Sequence, residues 1–127
     1  MRLATRRLLG RAPLALAALA AAGVLAACTS PPPEVPVTIA DFSIEPAKIS
    51  IQRAQKTVLK IQNTGSSEHN ISIQQLNVAT GLLGPGKTFN LEVTAPRGPL
   101  KMICSLPGHE GRGMVAEIAV EQSPTRR

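Results

Sequence analysis

Short segments that alternate between apolar and polar residues place the strongest constraint on how this chain can fold. In "TVLKIQN" (57–63), Leu59 and Ile61 share one parity, and Lys60 and Gln62 share the other. The segments "TFNLEV" (88–93) and "MVAEIAV" (114–120) repeat this pattern. A period of two predicts half-buried antiparallel strands.

Turn-forming residues separate these segments, as in "NTGSS", "LGPGK", "APRGP" and "LPGHEGRG". Between the two ends of the chain, no segment shows a helical period. Seven or eight short strands over this length indicate an all-β domain. We therefore predict a two-sheet β-sandwich with Greek-key connections over residues 37–122.

The first 27 residues have the pattern of an export signal rather than of the domain. Four arginines precede an Ala/Leu run that ends in "LAAC" at Cys28. A basic region followed by a short apolar run is typical of a secretory signal peptide, and "LAAC" resembles the bacterial lipobox. This resemblance implies that Cys28 carries the lipid of an envelope lipoprotein; the alternative is a buried or incidental cysteine after an ordinary cleavage site.

The segments on either side of the domain have compositions of their own. Residues 28–36 follow the signal peptide and are rich in proline, which predicts a lipid anchor and an extended linker. The last five residues, 123–127, are predicted to be a disordered tail. "TRRLL" (5–9) also resembles a twin-arginine signal, so the export route stays open.

Export changes how the charge of the chain is interpreted. The 14 lysines and arginines exceed the eight acidic residues, but four of the arginines precede Cys28. The mature chain would therefore carry a net charge of only about +2. With two phenylalanines and no tyrosine or tryptophan, the chain lacks the basic and aromatic surface typical of nucleic-acid-binding proteins.

The stretch "CSLPGHEGRGM" (104–114) spaces a cysteine, a histidine and a methionine five residues apart in turn. By parity, His69, Cys104 and Met114 each lie on the core side of a strand end. A sandwich can bring such strand ends together at one pole, and His109 lies in the turn between two of them. These residues include both histidines of the chain and its only cysteine besides Cys28.

The chemistry of this set favours copper. A thiolate and a thioether are soft ligands, and imidazole suits copper and zinc. Two histidines and a cysteine, with a distant axial methionine, are the ligand signature of blue-copper electron-transfer sites. Zinc sites usually have four firm ligands, and methionine is a poor ligand for zinc.

The residues Asn63, Gly65, His69 and Asn70, together with the Cys104–Met114 loop, resemble the cupredoxin family over roughly residues 35–121. The loop is most similar to those of auracyanin- and sulfocyanin-type members and is longer than the loop of plastocyanins. The resemblance implies one type 1 copper ion held by His69, Cys104, His109 and Met114. It also implies one-electron transfer rather than an enzymatic reaction.

Two features of the surroundings are also expected. The backbone N–H groups of Asn70 and Leu106 are placed to donate hydrogen bonds to the cysteine sulfur. Apolar turn residues around His109, including Leu106 and Pro107 and the segment 81–86, would form a docking surface for a redox partner protein. The alternative, which the sequence does not distinguish from a docking surface, is that these turns only close the end of the sandwich. We expect a monomer.

Two other classes of function compete with the electron carrier. A copper chaperone or storage protein would be expected to have exposed Met/His clusters or a second thiol. A copper oxidase or nitrite reductase domain needs further ligands, and the sequence has no other histidine. The prediction is therefore a membrane-tethered electron carrier, with the chaperone as the alternative.

Overall fold

The computed structural model describes residues 28–122. The predicted signal peptide (1–27) and tail (123–127) lie outside the described residues. Within 28–122 the chain forms nine strands and two short 3-10 turns, Gln74–Leu76 and Glu110–Arg112. The strands are β1 (Glu34–Ala40), β2 (Ser43–Glu45), β3 (Lys48–Gln52), β4 (Thr57–Asn63), β5 (Ser72–Ile73), β6 (Val78–Ala79), β7 (Thr88–Val93), β8 (Leu100–Ile103) and β9 (Val115–Glu121).

The strands form two sheets, as the alternating segments predicted. One sheet has the order β2-β1-β4-β7, and the other has the order β3-β9-β8-β5-β6. Buried aliphatic residues from both sheets form one continuous core. The all-β sandwich is therefore confirmed, with slightly more strands than expected.

The strand directions differ in part from the prediction. β1 pairs with β4 in parallel, and β3 pairs with β9 in parallel; the other pairs are antiparallel. The expectation of antiparallel strands was wrong for these two pairs. The alternation reports that one face of a strand is buried, but it does not report the direction of the neighbouring strand.

The buried faces agree with the parity of the sequence at most positions. Leu59, Ile61 and Ile118 are at most 1% exposed, whereas Lys60 and Glu117 on the opposite faces are exposed. One exception is Phe89, which shares the parity of the inward Leu91 and Val93 but is 40% exposed. It lies near the start of β7, which is an edge strand, so no further strand covers it.

The first strand begins before the predicted domain boundary. β1 starts at Glu34 and pairs with Val58 of β4 there, so its first three residues come from the segment predicted as linker. Pro36 is tolerated inside this strand because β2 pairs only with Thr38–Ala40, which leaves the other side of β1 open at Pro36. Residues 28–33 precede the strand and are exposed.

No helix within residues 28–122 is both long and apolar enough to cross a membrane.

Candidate metal centre

Two of the four predicted ligands lie directly at strand ends, and the other two lie in connections between strands. Cys104 directly follows β8, and Met114 directly precedes β9. His69 lies shortly before β5 and forms an isolated antiparallel bridge with Leu83. His109 lies in the connection between β8 and β9, immediately before a 3-10 turn.

Three of these side chains converge on one point. The Nδ1 atoms of His69 and His109 are 3.2 Å apart, and the Cys104 sulfur lies 3.6 Å from Nδ1 of His109. One donor atom from each of the three residues lies within 4.8 Å of the other two. Cys104 and His69 are fully buried, and His109 is partly exposed.

Met114 is tied to the same cluster through the backbone. Its N–H donates to the carbonyl of His109 over 3.1 Å, and its carbonyl accepts from the N–H of Cys104 over 3.2 Å. The side chain is 0% exposed and belongs to the hydrophobic core. The loop is thus closed at its ends by its own hydrogen bonds, which fixes the spacing of Cys104, His109 and Met114.

The second nitrogen of His69 has a charged partner that sequence analysis did not identify. Nε2 lies 3.0 Å from Oδ1 of Asp41, a residue of the two-residue turn between β1 and β2. A carboxylate accepts hydrogen bonds and donates none, so this contact assigns a ring proton to Nε2, and in a neutral ring Nδ1 would then keep its lone pair. The lone pair therefore points toward the cluster. Asp41 is 28 residues from His69 along the chain, and no local motif links the two.

Asp41 is itself held by the loop that precedes His69. Ser66 donates to its carboxylate from both its hydroxyl and its backbone N–H, and the N–H of Ser67 donates over 3.1 Å. The hydroxyl of Ser66 and, next, His69 hold the pKa of Asp41 well below its ordinary value. Gly65 allows this close approach, because a Cβ at that position would lie 2.6 Å from Oδ1 of Asp41.

Asn63 fixes the same loop from the inside. Its side-chain amide is buried and donates to the carbonyls of Ser67 and Leu83, over 2.8 Å and 2.7 Å, while its Oδ1 accepts from the N–H of Gly65. These bonds join the segment ahead of His69 to the neighbouring segment 81–86. The Asn63 and Gly65 of the family-like pattern therefore position His69 instead of contributing ligand atoms.

Phe42, the other residue of the β1–β2 turn, packs against both imidazoles. Its ring centroid lies 5.4 Å from that of His109 and 6.5 Å from that of His69, in edge-on arrangements. The guanidinium of Arg112 lies 3.3 Å from the ring centroid on the Phe42 face, a cation–π contact. Phe42 has a φ of 65°, a conformation that is costly for a bulky residue; these contacts offset that cost.

Asn70 links the His69 segment to the Cys104 loop, although by a different bond from the one predicted. Its side chain accepts from the N–H of Ser105 and donates to the Ser105 hydroxyl, both over 2.8 Å. This pair fixes the residue next to the cysteine. The hydrogen bonds to sulfur from the backbone N–H groups of Asn70 and Leu106 stay predictions.

The cluster has the donor atoms and the spacing to suit one copper ion. Nitrogens 3.2 Å apart and a sulfur 3.6 Å from one of them can all contact one ion at ordinary bond lengths of about 2.0 to 2.3 Å. One thiol and two imidazoles form a soft, nitrogen-rich set of the kind that copper prefers.

A family model described as "Cupredoxin-like domain" matches residues 13–116. The chain belongs to this family. The expected family resemblance is thereby confirmed, and the match covers the β1–β2 turn and the whole Cys104–Met114 loop of this cupredoxin-like domain. A search of curated proteins found no match.

Solved structures with the same fold include three auracyanins. Dithionite-reduced auracyanin from the photosynthetic bacterium Roseiflexus castenholzii aligns with a TM-score of 0.63 and 20% identity, covering 69% of this chain and 96% of that one. Auracyanin B aligns with a TM-score of 0.63 and 18% identity, covering 73% and 91%. Auracyanin A, a blue copper protein from Chloroflexus aurantiacus, aligns with a TM-score of 0.56 and 15% identity, covering 69% and 99%. These likenesses establish the fold.

Replacing Gly65 tests the packing around Asp41. We expect Gly65→Ala to lower the free energy of unfolding of the metal-free protein by about 1–3 kcal/mol, because the new Cβ overlaps the Asp41 carboxylate and backbone. Gly81→Ala is the matched control, since a Cβ there meets nothing within 4 Å, and its effect should stay within about 0.5 kcal/mol. Urea unfolding measures both, and equal stabilities would contradict the close approach.

Proposed function

We propose that this domain is a one-electron carrier with a single type 1 copper ion. His69, Cys104 and His109 would be its close ligands, and Met114 its weaker axial ligand. The observation that supports this most strongly is the convergence of two imidazole nitrogens and one thiol sulfur within 4.8 Å at the edge of the core. Membership of the cupredoxin-like family supports it independently.

Copper in such a site supplies a Cu(II)/Cu(I) couple. The protein contributes a site whose shape changes little, because hydrogen bonds hold the ligand residues in place. Backbone hydrogen bonds close the Cys104–Met114 loop, and Asp41 fixes the ring of His69. Burial of Cys104 keeps water away from the sulfur, which protects the thiolate from side reactions.

The exposures of the ligands favour passing electrons rather than passing metal. A chaperone must hand its ion to another protein, so its ligands need to be reachable, but Cys104 and His69 are both 0% exposed. His109 is partly exposed and offers a short route for an electron to the surface. The carrier is therefore preferred to a chaperone or storage protein.

We propose that a redox partner protein docks on the surface around His109. Pro107 and Gly108 are exposed and Leu106 is partly exposed. The segment 81–86 adjoins the site through the His69–Leu83 bridge, and its Leu82 is 57% exposed. An apolar surface of this kind suits the small, transient contacts of electron-transfer proteins. Donor and acceptor would both approach this pole.

We also propose that the protein is exported and tethered to a membrane of the cell envelope through lipid on Cys28. Cys28 is exposed and precedes five exposed residues ahead of β1. This short Pro-rich spacer would keep the domain near the membrane and raise its effective concentration at a membrane-bound partner.

Replacing the cysteine tests the copper assignment. Cys104→Ser should abolish the intense visible absorption of the oxidised, copper-loaded protein, because the thiolate gives rise to the charge-transfer band. The far-ultraviolet circular dichroism should remain that of a folded β-domain. Cys28→Ser removes the other cysteine and should leave the band unchanged. A visible band that survives in Cys104→Ser would refute the assignment.

Replacing the methionine tests the axial ligand. Met114→Gln should retain copper and lower the midpoint reduction potential by tens of millivolts, because an oxygen donor stabilises Cu(II) more than a thioether does. Met102→Leu is the control, since Met102 is an equally buried methionine of the same core and the exchange conserves volume. A potential that is unchanged or higher in Met114→Gln would show that Met114 is not the axial ligand.

Mass spectrometry of the mature, membrane-extracted protein tests the tether. We expect the chain to start at Cys28 with added lipid mass, and Cys28→Ala to move the protein from the membrane fraction to the soluble fraction. More than one acyl chain is needed for stable anchoring, so the added mass should correspond to several chains. An unmodified Cys28, or cleavage elsewhere, would refute the tether without affecting the copper assignment.

A further inference from the structure

We propose that Asp41 is a positioning residue of the metal centre, which fixes the tautomer of His69 and lowers the reduction potential by making His69 a stronger donor to Cu(II). The inference rests on the proposed copper function. It starts from the contact between the Asp41 carboxylate and Nε2 of His69, which are 3.0 Å apart.

The first step concerns the ring itself. His69 is 0% exposed, so water cannot hydrogen-bond its second nitrogen in place of a protein group. Asp41 provides the acceptor at Nε2, and the lone pair is thereby assigned to Nδ1, the nitrogen that faces His109. Outer carboxylates of this kind orient metal-bound imidazoles and raise their basicity in other metal sites.

The second step concerns the charge. A carboxylate next to a ligand stabilises the more positive oxidation state of the metal, and this favours Cu(II) over Cu(I). The Asp41 side chain is 34% exposed, so solvent screens part of this effect but not all of it. The charge of Asp41 should therefore make the reduction potential lower than an uncharged hydrogen-bond acceptor would.

The third step concerns how Asp41 is kept in place. Its turn between β1 and β2 spans only two residues, and three donors from Ser66 and Ser67 hold its two oxygens. Gly65 lacks the side chain that would push this loop away. Three separate features of the chain thus converge on one carboxylate whose only histidine contact among the described residues is His69.

Asp41→Asn separates the charge from the hydrogen bond. Asparagine has the same shape and can accept from Nε2 through its Oδ1, but it carries no charge, and its Nδ2 cannot accept the two bonds from Ser66. We expect the Cu(II)-over-Cu(I) preference to fall about tenfold, which raises the midpoint potential by about 59 mV. Glu68→Gln is the matched control, since it removes one exposed negative charge from the residue beside His69; its shift should be clearly smaller.

Nuclear magnetic resonance of the metal-free protein provides a second readout. Long-range proton–nitrogen correlations should show His69 of the natural protein protonated at Nε2, and Asp41→Ala should produce a mixture of the two tautomers. This measurement needs no copper and no folded Asp41→Asn variant. It therefore distinguishes failure of the inference from failure of the copper function, which would appear as a missing visible band in the natural protein.

Two results would overturn the proposal. One is protonation of His69 at Nδ1 in the natural metal-free protein, which would mean that Asp41 does not set the tautomer. The other is a reduction potential that shifts no more in Asp41→Asn than in Glu68→Gln. This would mean that the carboxylate in contact with His69 affects the potential no more than a nearby charge without that contact.

Discussion

A buried imidazole needs a polar partner at each nitrogen, because an unsatisfied polar group inside a protein is costly. His69 has no exposed surface, and this requirement shapes its whole neighbourhood. One nitrogen faces the histidine of the loop and the other faces Asp41. Asp41 in turn needs donors, which Ser66 and Ser67 supply. The hydrogen bonds that satisfy the ring of His69 therefore also join the β1–β2 turn to the loop before His69.

The remaining ligands are positioned by a different device, which is local in sequence. Cys104 and Met114 directly flank the adjacent antiparallel strands β8 and β9, and backbone hydrogen bonds continue from these strands into the loop that joins them. Gly113 has a φ of 112°, a conformation that favours glycine, and a Cβ there would lie 3.0 Å from the carbonyl of Phe42. The loop is thus both self-supported and packed against the β1–β2 turn.

As a result, the ligands differ in exposure between the two sides of the centre. On the inner side, His69 and Cys104 are sealed in the core, and their geometry is fixed by bonds to the rest of the protein. On the outer side, His109 is partly exposed beside the turn residues of its own loop. An asymmetric arrangement of this kind suits a centre that exchanges electrons through one edge, because the inner ligands resist rearrangement while the outer one can approach a partner.

The sequence alone determined the sandwich architecture and the set of donor residues. The period-two alternation predicted the sandwich, because burial of one face is imposed on each strand locally. Parity placed His69, Cys104 and Met114 on the core side, and the spacing of the 104–114 loop identified the donor set. The same pattern could not report strand direction, so the parallel pairs were missed. Nor could it show that Phe89 lies at an uncovered edge.

Only the tertiary structure decided what surrounds the donors. Asp41 and Phe42 reach the site because a turn between two strands is brought over the pole of the sandwich, and Ser66 reaches Asp41 from 25 residues away. Such contacts depend on how the sheets pack and on which strands become neighbours. Local sequence patterns do not predict that packing, because it depends on the free energy of the whole core. The sequence determined which atoms could bind a metal, and the packing decided how they are oriented and charged.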